Sequence, residues 1–177
     1  GRSKRGNRVN SRIFPLLGFA LLIVLLVVGL KIADRKTNLP SPLIDKPVPA
    51  FDLPVLASPG QRMSKDSLIG KPYLVNFWGS WCGDCRKAHP DMVALYKKYQ
   101  GKSFSDAKGF EIVSSAIEAG PGQWEKAIAK DNLIWKYHNV EYMNRKSKDV
   151  FASPLAKEYG INWIPTTFLI NPKGEII

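Results

Sequence analysis

Asn76-Phe77-Trp78-Gly79-Ser80-Trp81-Cys82-Gly83-Asp84-Cys85 is the stretch on which the reading of the fold turns. Upstream, Gly70-Lys71-Pro72 breaks the chain, and Tyr73 to Trp78 then reads as a buried strand. Downstream, a helix is expected from about Cys82 to Tyr99. Its core face would be Cys85, Ala88, Met92, Leu95, Tyr96 and Tyr99, at spacings of three and four. The two cysteines thus fall where a strand meets a helix. Cys82 lies at the helix N-terminus, where unpaired N–H groups and the macrodipole favour an anion and so the reactive thiolate. Cys85, three residues on, lies on the same side of the helix, with its Cα about 5–5.5 Å from that of Cys82, a distance a disulfide spans.

The chain has only these two cysteines. A disulfide between them closes almost no loop and adds little stability, so the pair points to redox chemistry, with Cys82 attacking and Cys85 resolving. A c-type haem site needs His directly after the second Cys, and Arg86 stands there. A metal site would need further ligands, for which His89 and His138 are the two histidines to hand. A cysteine peroxidase usually carries Thr or Ser and Pro shortly upstream of its Cys, an arrangement missing before Cys82.

A second element is Trp163-Ile164-Pro165-Thr166. Proline just ahead of a buried strand marks either an edge position or a cis bond, and the neighbouring Cys-x-x-Cys favours the cis form. A cis Pro165 would leave the Ile164 backbone free to pair with an extended substrate.

Elsewhere, Phe51–Leu56, Phe110–Ala116 and Thr166–Ile170 read as strands, and Ser58-Pro59-Gly60 as a turn. Gln123–Asp131 reads as a helix, and Ser153-Pro154 starts another that ends at Gly160. Asn171–Gly174 turns the chain into a closing hairpin. Leu133–Asp149, basic and aromatic, reads either as a specificity insert or as surface decoration. The alternation of strands and helices predicts an α/β layered fold with a mixed central sheet.

The first thirty-six residues differ in kind. They hold eight Lys/Arg and one acid, whereas the rest holds eighteen basic and fourteen acidic residues within a total net charge of +11. No basic cluster lies on the folded part, which argues against nucleic acid as a partner. Ile13–Leu30 is an uncharged run of 18 residues, about 27 Å as a helix and close to the thickness of a bilayer's hydrocarbon core. It lacks the short apolar core and small-x-small end of a cleaved signal peptide. Residues 1–12 are therefore expected to be a basic cytoplasmic tail, 13–33 a single-pass anchor, 34–47 a proline-bearing linker, and 48–177 the catalytic domain, truncated at its C-terminus. The domain would sit outside the bacterial inner membrane.

Asn76 to Cys82, together with Ile164-Pro165-Thr166-Thr167-Phe168-Leu169-Ile170-Asn171-Pro172-Lys173-Gly174, resembles the thioredoxin fold as it occurs in the membrane-anchored TlpA and ResA proteins. Leu43 to Phe51 resembles the entry to the CcmG/DsbE domain. The resemblance runs from about Pro47 to Ile177. It implies an exported thiol–disulfide oxidoreductase kept reduced by a membrane electron donor. Its partners would be exported thiol or disulfide proteins such as apocytochrome c before haem attachment, with no cofactor beyond the Cys82–Cys85 pair. It maps the nucleophile to Cys82, the resolving thiol to Cys85 and the cis proline to Pro165, with Trp81, Ile164, Pro165 and Thr166 forming the substrate groove. Two alternatives remain open: an oxidase of exported thiols, and a thiol peroxidase, since Trp124–Tyr159 is similar to thioredoxin-like proteins labelled peroxidase-related.

The chain departs from the family pattern in two places. The buried Asp of thioredoxins is Asn76, and the Glu that the anchored branch places three residues after the second Cys is Ala88. Asp84 is then the nearest acid, and its charge is expected to disfavour the Cys82 thiolate and give a mildly reducing centre; a solvated turn acid capping the helix is its plainer role. His89 reads as a proton relay or as a helix-surface histidine.

Overall fold

The computed structural model describes residues 13–36, 42–56, 58, 60–143 and 151–177. The basic tail 1–12, linker residues 37–41, part of the 58–60 turn and residues 144–150, Lys146 among them, lie outside the described residues. Two compact units are present, 1–41 and 42–177. The first carries helix α1 (Ile13–Lys36), about 36 Å long at 1.5 Å per residue, and long and apolar enough to cross a membrane.

In the second unit, β1 (Asp52–Pro54) and β2 (Arg62–Ser64) form a small antiparallel hairpin. The main sheet is built from β3 (Tyr73–Trp78), β4 (Glu111–Glu118), β5 (Tyr137–Tyr142) and β6 (Thr166–Ile170), in the order β5-β4-β3-β6. β3 and β5 run parallel to β4, and β6 runs antiparallel to β3. The crossovers carry α2 (Gly83–Tyr99) and α3 (Gln123–Lys130), while the short α4 (Pro154–Glu158) leads towards β6. This is the mixed α/β sheet expected from the alternation of elements.

The central strands are buried on both faces, which is why they read as continuous apolar runs. Phe77 packs its ring 5.2 Å from Tyr159 and 6.3 Å from Phe168, joining β3, α4 and β6 in one aromatic cluster.

Three sequence expectations change. Residues 42–47, read as the end of the linker, belong to the compact unit: Asp45 N–H donates to Ile176 O, Ile176 N–H to Lys46 O, and Val48 N–H to Gly174 O. Backbone pairing with the C-terminal hairpin, which no local composition reveals, holds them there. The core face of α2 is rotated: Cys85, His89, Val93 and Tyr96 are buried, whereas Met92, Leu95 and Tyr99 are half-buried. His89 can take a core position because its ring has a carboxylate partner, Asp131. Finally, Leu133–Tyr142 is neither insert nor decoration. Leu133 and Trp135 lie in the core, Trp135 Nε1–H donates to Ser114 Oγ at 3.0 Å, and Tyr137–Tyr142 forms the edge strand β5.

Candidate active site

The two sequence motifs meet at one end of the sheet. In the β3–β6 register Phe77 faces Thr166, so the loop leaving β3 towards Cys82 starts beside the residue that follows Pro165. The Ile164–Pro165 bond is cis. Ile164 is buried, Trp163 beside it is largely exposed, and Thr166 Oγ1–H closes the loop by donating to Trp163 O at 2.7 Å.

Cys82 and Cys85 are joined as a disulfide with their Cα atoms 5.3 Å apart. Cys82 is the N-cap of α2, and its sulfur accepts from Cys85 N–H at 3.1 Å. A first-turn N–H of the helix is thus aimed at this sulfur, where it would favour a thiolate. Cys82 is 8% exposed and Cys85 1%, so the outer of the two sulfurs belongs to Cys82.

The loop between β3 and α2 is pinned from the end of β4. Trp81 Nε1–H donates to Ile117 O at 2.8 Å, which holds the half-exposed indole against Gly79. A Cβ at Gly79 would stand 2.7 Å from Trp81 Nε1 and 3.1 Å from Ile117 O, so glycine is required there by close approach. Glu118 is buried, and its carboxylate accepts from Ser80 N–H at 2.6 Å and Ser80 Oγ–H at 2.7 Å. Ser80, Trp81, Glu118, Pro121, Gln123 and Met143 line an open cavity of about 540 Å³ beside the motif.

Asp84 plays a smaller part than its position in sequence implies. It is exposed, it pairs with Lys87 at 2.9 Å, and this hydrogen bond holds its carboxyl below the ordinary range. A charge that is solvated and matched in this way exerts little field on the sulfurs. The helix cap it was expected to provide is supplied by the Cys82 sulfur. Asn76 is buried, and its Oδ1 accepts from Thr167 Oγ1–H at 3.2 Å, fastening β3 to β6.

His89 is not a surface residue: it is 1% exposed and stands edge-on to Trp78, with ring centroids 4.9 Å apart. Its Nδ1 lies 2.7 Å from Asp131 Oδ2. Arg86 grips the same carboxylate through Nε at 2.7 Å and through a second, shorter bond from Nη2. Arg86 of this group follows Cys85 directly in sequence. Neither Asp131 nor Glu118 was singled out from the sequence, because each lies more than thirty residues from its partner in the motif.

Comparison with known proteins agrees with this geometry. Residues 70–176 match the family model described as thioredoxin-like. The chain is 44% identical over 164 residues to the thiol:disulfide interchange protein DsbE of Allochromatium vinosum, covering 93% of this chain and 80% of that one. It is 32% identical to DsbE of Pseudomonas aeruginosa, covering 93% and 79%, and 34% identical to the thiol-disulfide oxidoreductase ResA of Bacillus subtilis, covering 67% and 57%. Among solved structures, the thioredoxin domain of a Bacteroides vulgatus thiol-disulfide oxidoreductase superposes with a TM-score of 0.59 at 28% identity, covering 77% of this chain and 87% of that one. A thiol:disulfide interchange protein from Bacteroides sp. gives 0.56 at 28% identity, covering 75% and 78%. The chain therefore belongs to the thioredoxin-like family, and within it to the thiol–disulfide oxidoreductases of the DsbE kind.

Proposed function

We propose that this oxidoreductase is a membrane-anchored reductase of disulfides in exported proteins, apocytochrome c among them. The observation that carries this reading is the Cys82–Cys85 pair at the N-terminus of α2, with Cys85 N–H aimed at Cys82 Sγ. In the reduced form the Cys82 thiolate attacks a substrate disulfide. Cys85 then resolves the mixed disulfide, leaving the substrate with two thiols and the enzyme with its disulfide. A dithiol donor in the membrane restores the reduced pair, and no cofactor is needed. Helix α1 is the single-pass anchor. The five basic residues ahead of it keep the N-terminus cytoplasmic and set the domain on the periplasmic side.

Trp81, Ile164, Pro165 and Thr166 form the substrate groove. β6 pairs with β3 through Thr166–Ile170, so the Ile164 carbonyl and N–H ahead of that ladder are the groups offered to an extended peptide.

The test uses the full chain in detergent, reduced and freed of excess reductant, with an oxidised peptide carrying Cys-x-x-Cys-His. The expected result is two peptide thiols released per Cys82–Cys85 disulfide formed. If reduced peptide is instead oxidised by the disulfide form of the protein, with no reaction in the other direction, the chain is an oxidase. Stoichiometric consumption of hydrogen peroxide in preference to peptide would make it a peroxidase.

A further inference from the structure

Resolution requires Cys85 to lose a proton at a site that is almost completely buried. The buried Asn76 and the half-buried Ala88 beside the motif offer no acid. Asp84, nearby in sequence, is exposed and committed to Lys87. We infer that His89, held in place by Asp131 and Arg86, is the group that takes the proton from Cys85. This rests on the reading of Cys85 as the resolving thiol.

Cys85 and His89 stand one turn apart on the buried face of α2, a spacing that brings Cβ atoms to about 5–6 Å. Proton transfer over that reach runs directly or through one water. The orientation of the imidazole follows from charge. Arg86 binds both oxygens of Asp131 and holds that carboxyl below its ordinary range, so it stays ionised and can only accept. The hydrogen on His89 must then sit on Nδ1, donated to Asp131 Oδ2. That leaves Nε2 with a lone pair, and among the described residues this buried atom has no hydrogen-bond partner. Nε2 is therefore the ring atom open to a proton. The arrangement of a base oriented by a carboxylate recurs wherever a histidine must take a proton at a fixed atom.

Burial pushes the His89 pKa below its ordinary value, Asp131 pulls it upward, and Arg86 pushes it down. The ring is thus neutral at pH 7 and ready to accept. The charged and titratable groups facing it are Cys85 and Arg86 on α2, Asp131 at the end of α3, and His138 on β5, whose own titration senses His89. From β3 it meets the uncharged Trp78 ring. Asp131 and Arg86 are positioning residues.

The step balances as ordinary thiol exchange. In the mixed disulfide, Cys82 Sγ is bonded to a substrate sulfur. Cys85 S–H gives its proton to His89 Nε2, and the Cys85 thiolate attacks Cys82 Sγ. The Cys82–Cys85 bond forms, and the bond to the substrate breaks. Its electron pair leaves on the substrate sulfur, which takes a proton from solvent as the imidazolium returns its own to solvent. The dithiol is oxidised by two electrons and the substrate disulfide is reduced by two.

The test is single-turnover reduction of a disulfide-bonded model peptide by the reduced full chain in detergent. Acid-quenched samples, resolved by mass, follow formation and decay of the Cys82 mixed disulfide from pH 5 to 9. In the wild type, decay is expected to rise as His89 becomes neutral, hold a plateau, and rise again as the Cys85 thiol ionises. His89→Gln keeps a donor for Asp131 but accepts no proton. It is expected to form the mixed disulfide at the wild-type rate and resolve it about 10²-fold more slowly near pH 7. Its plateau should be replaced by a slope of about tenfold per pH unit, set by the thiolate fraction alone. Asp131→Asn provides an independent variant should His89→Gln not fold. Losing the carboxylate weakens the base, so the lower limb moves to lower pH and the plateau falls. A wild-type rate and profile in His89→Gln, or an unmoved limb in Asp131→Asn, would overturn the assignment. Absence of any Cys82 mixed disulfide in the wild type would overturn the underlying attack-and-resolve reading instead.

Discussion

Cys85→Ser is expected to convert the chain into a trap. With Cys82 intact, attack on a substrate disulfide proceeds, but the mixed disulfide has no neighbouring thiol to resolve it. An intramolecular thiol held at this spacing acts at an effective concentration that external thiols do not reach, so turnover should fall by on the order of a thousandfold or more. The covalent complex should accumulate on a non-reducing gel and disappear on addition of dithiothreitol. Cys82→Ser should form no complex. Cys85 is 1% exposed and Cys82 8%, and it is the Cys82 sulfur that the α2 N–H group faces, so the roles should not exchange. A stable complex formed by Cys82→Ser, and none by Cys85→Ser, would reverse the assignment.

Stability should fall steeply between pH 6.5 and 4, and His138 should account for a large share of the loss. This histidine is buried on β5 with its ring stacked 5.5 Å from Trp135. Burial pushes its pKa down to about 4, against the upward pull of backbone contacts with Leu133 and Trp135. In the unfolded chain the ring titrates near 6.5. The unfolded state therefore takes the proton first as pH falls. The stabilisation is complete above about pH 6.5 and is lost progressively as pH drops towards 4. The 2.5-unit difference at about 1.4 kcal/mol per unit amounts to roughly 3 kcal/mol. His89, shifted in the same direction, adds to the loss as pH falls below its ordinary range. Asp131, whose carboxyl is held low by Arg86, adds its own loss further into acid. Urea unfolding midpoints of the wild type and His138→Gln, compared at pH 7 and pH 4.5, isolate the His138 share. The variant should show a visibly flatter dependence. An identical slope in the two proteins would contradict this account.

What was legible in the sequence follows from what is local. Tyr73–Trp78 announced a central strand because both of its faces are buried and the run is continuously apolar. Thr166–Ile170 and the Ser153-Pro154 helix start are likewise set by short-range chemistry. Cys82, Cys85 and Pro165 stood out because their spacing carries a chemical meaning before any fold is known.

The features that escaped are long-range. Glu118 reaches Ser80 across 38 positions and Asp131 reaches His89 across 42, and each looks like an ordinary acid at the end of a strand or helix. The core face of α2 was misplaced for the same reason. A histidine is scored as polar until the carboxylate that receives it is known. Leu133–Tyr142 mixes basic and aromatic residues because it leads into and forms the edge strand β5, with Trp135 turned into the core and Tyr142 left at the surface. Asp84 erred in the other direction. Its nearness in sequence promised an influence that its exposure and its Lys87 partner remove.

That last correction leaves the direction of electron flow to the burial of the pair rather than to Asp84. A thiolate at either sulfur would be largely shielded from water, which disfavours the reduced, charged form that strong oxidants of this class depend on. The most direct measurement is therefore the reduction potential of the Cys82–Cys85 pair in the full chain, equilibrated against glutathione or dithiothreitol. The account predicts a value at or below about −250 mV, the thioredoxin end of the range. A value near about −120 to −150 mV, at the DsbA end, would contradict it and make the chain an oxidant of exported thiols.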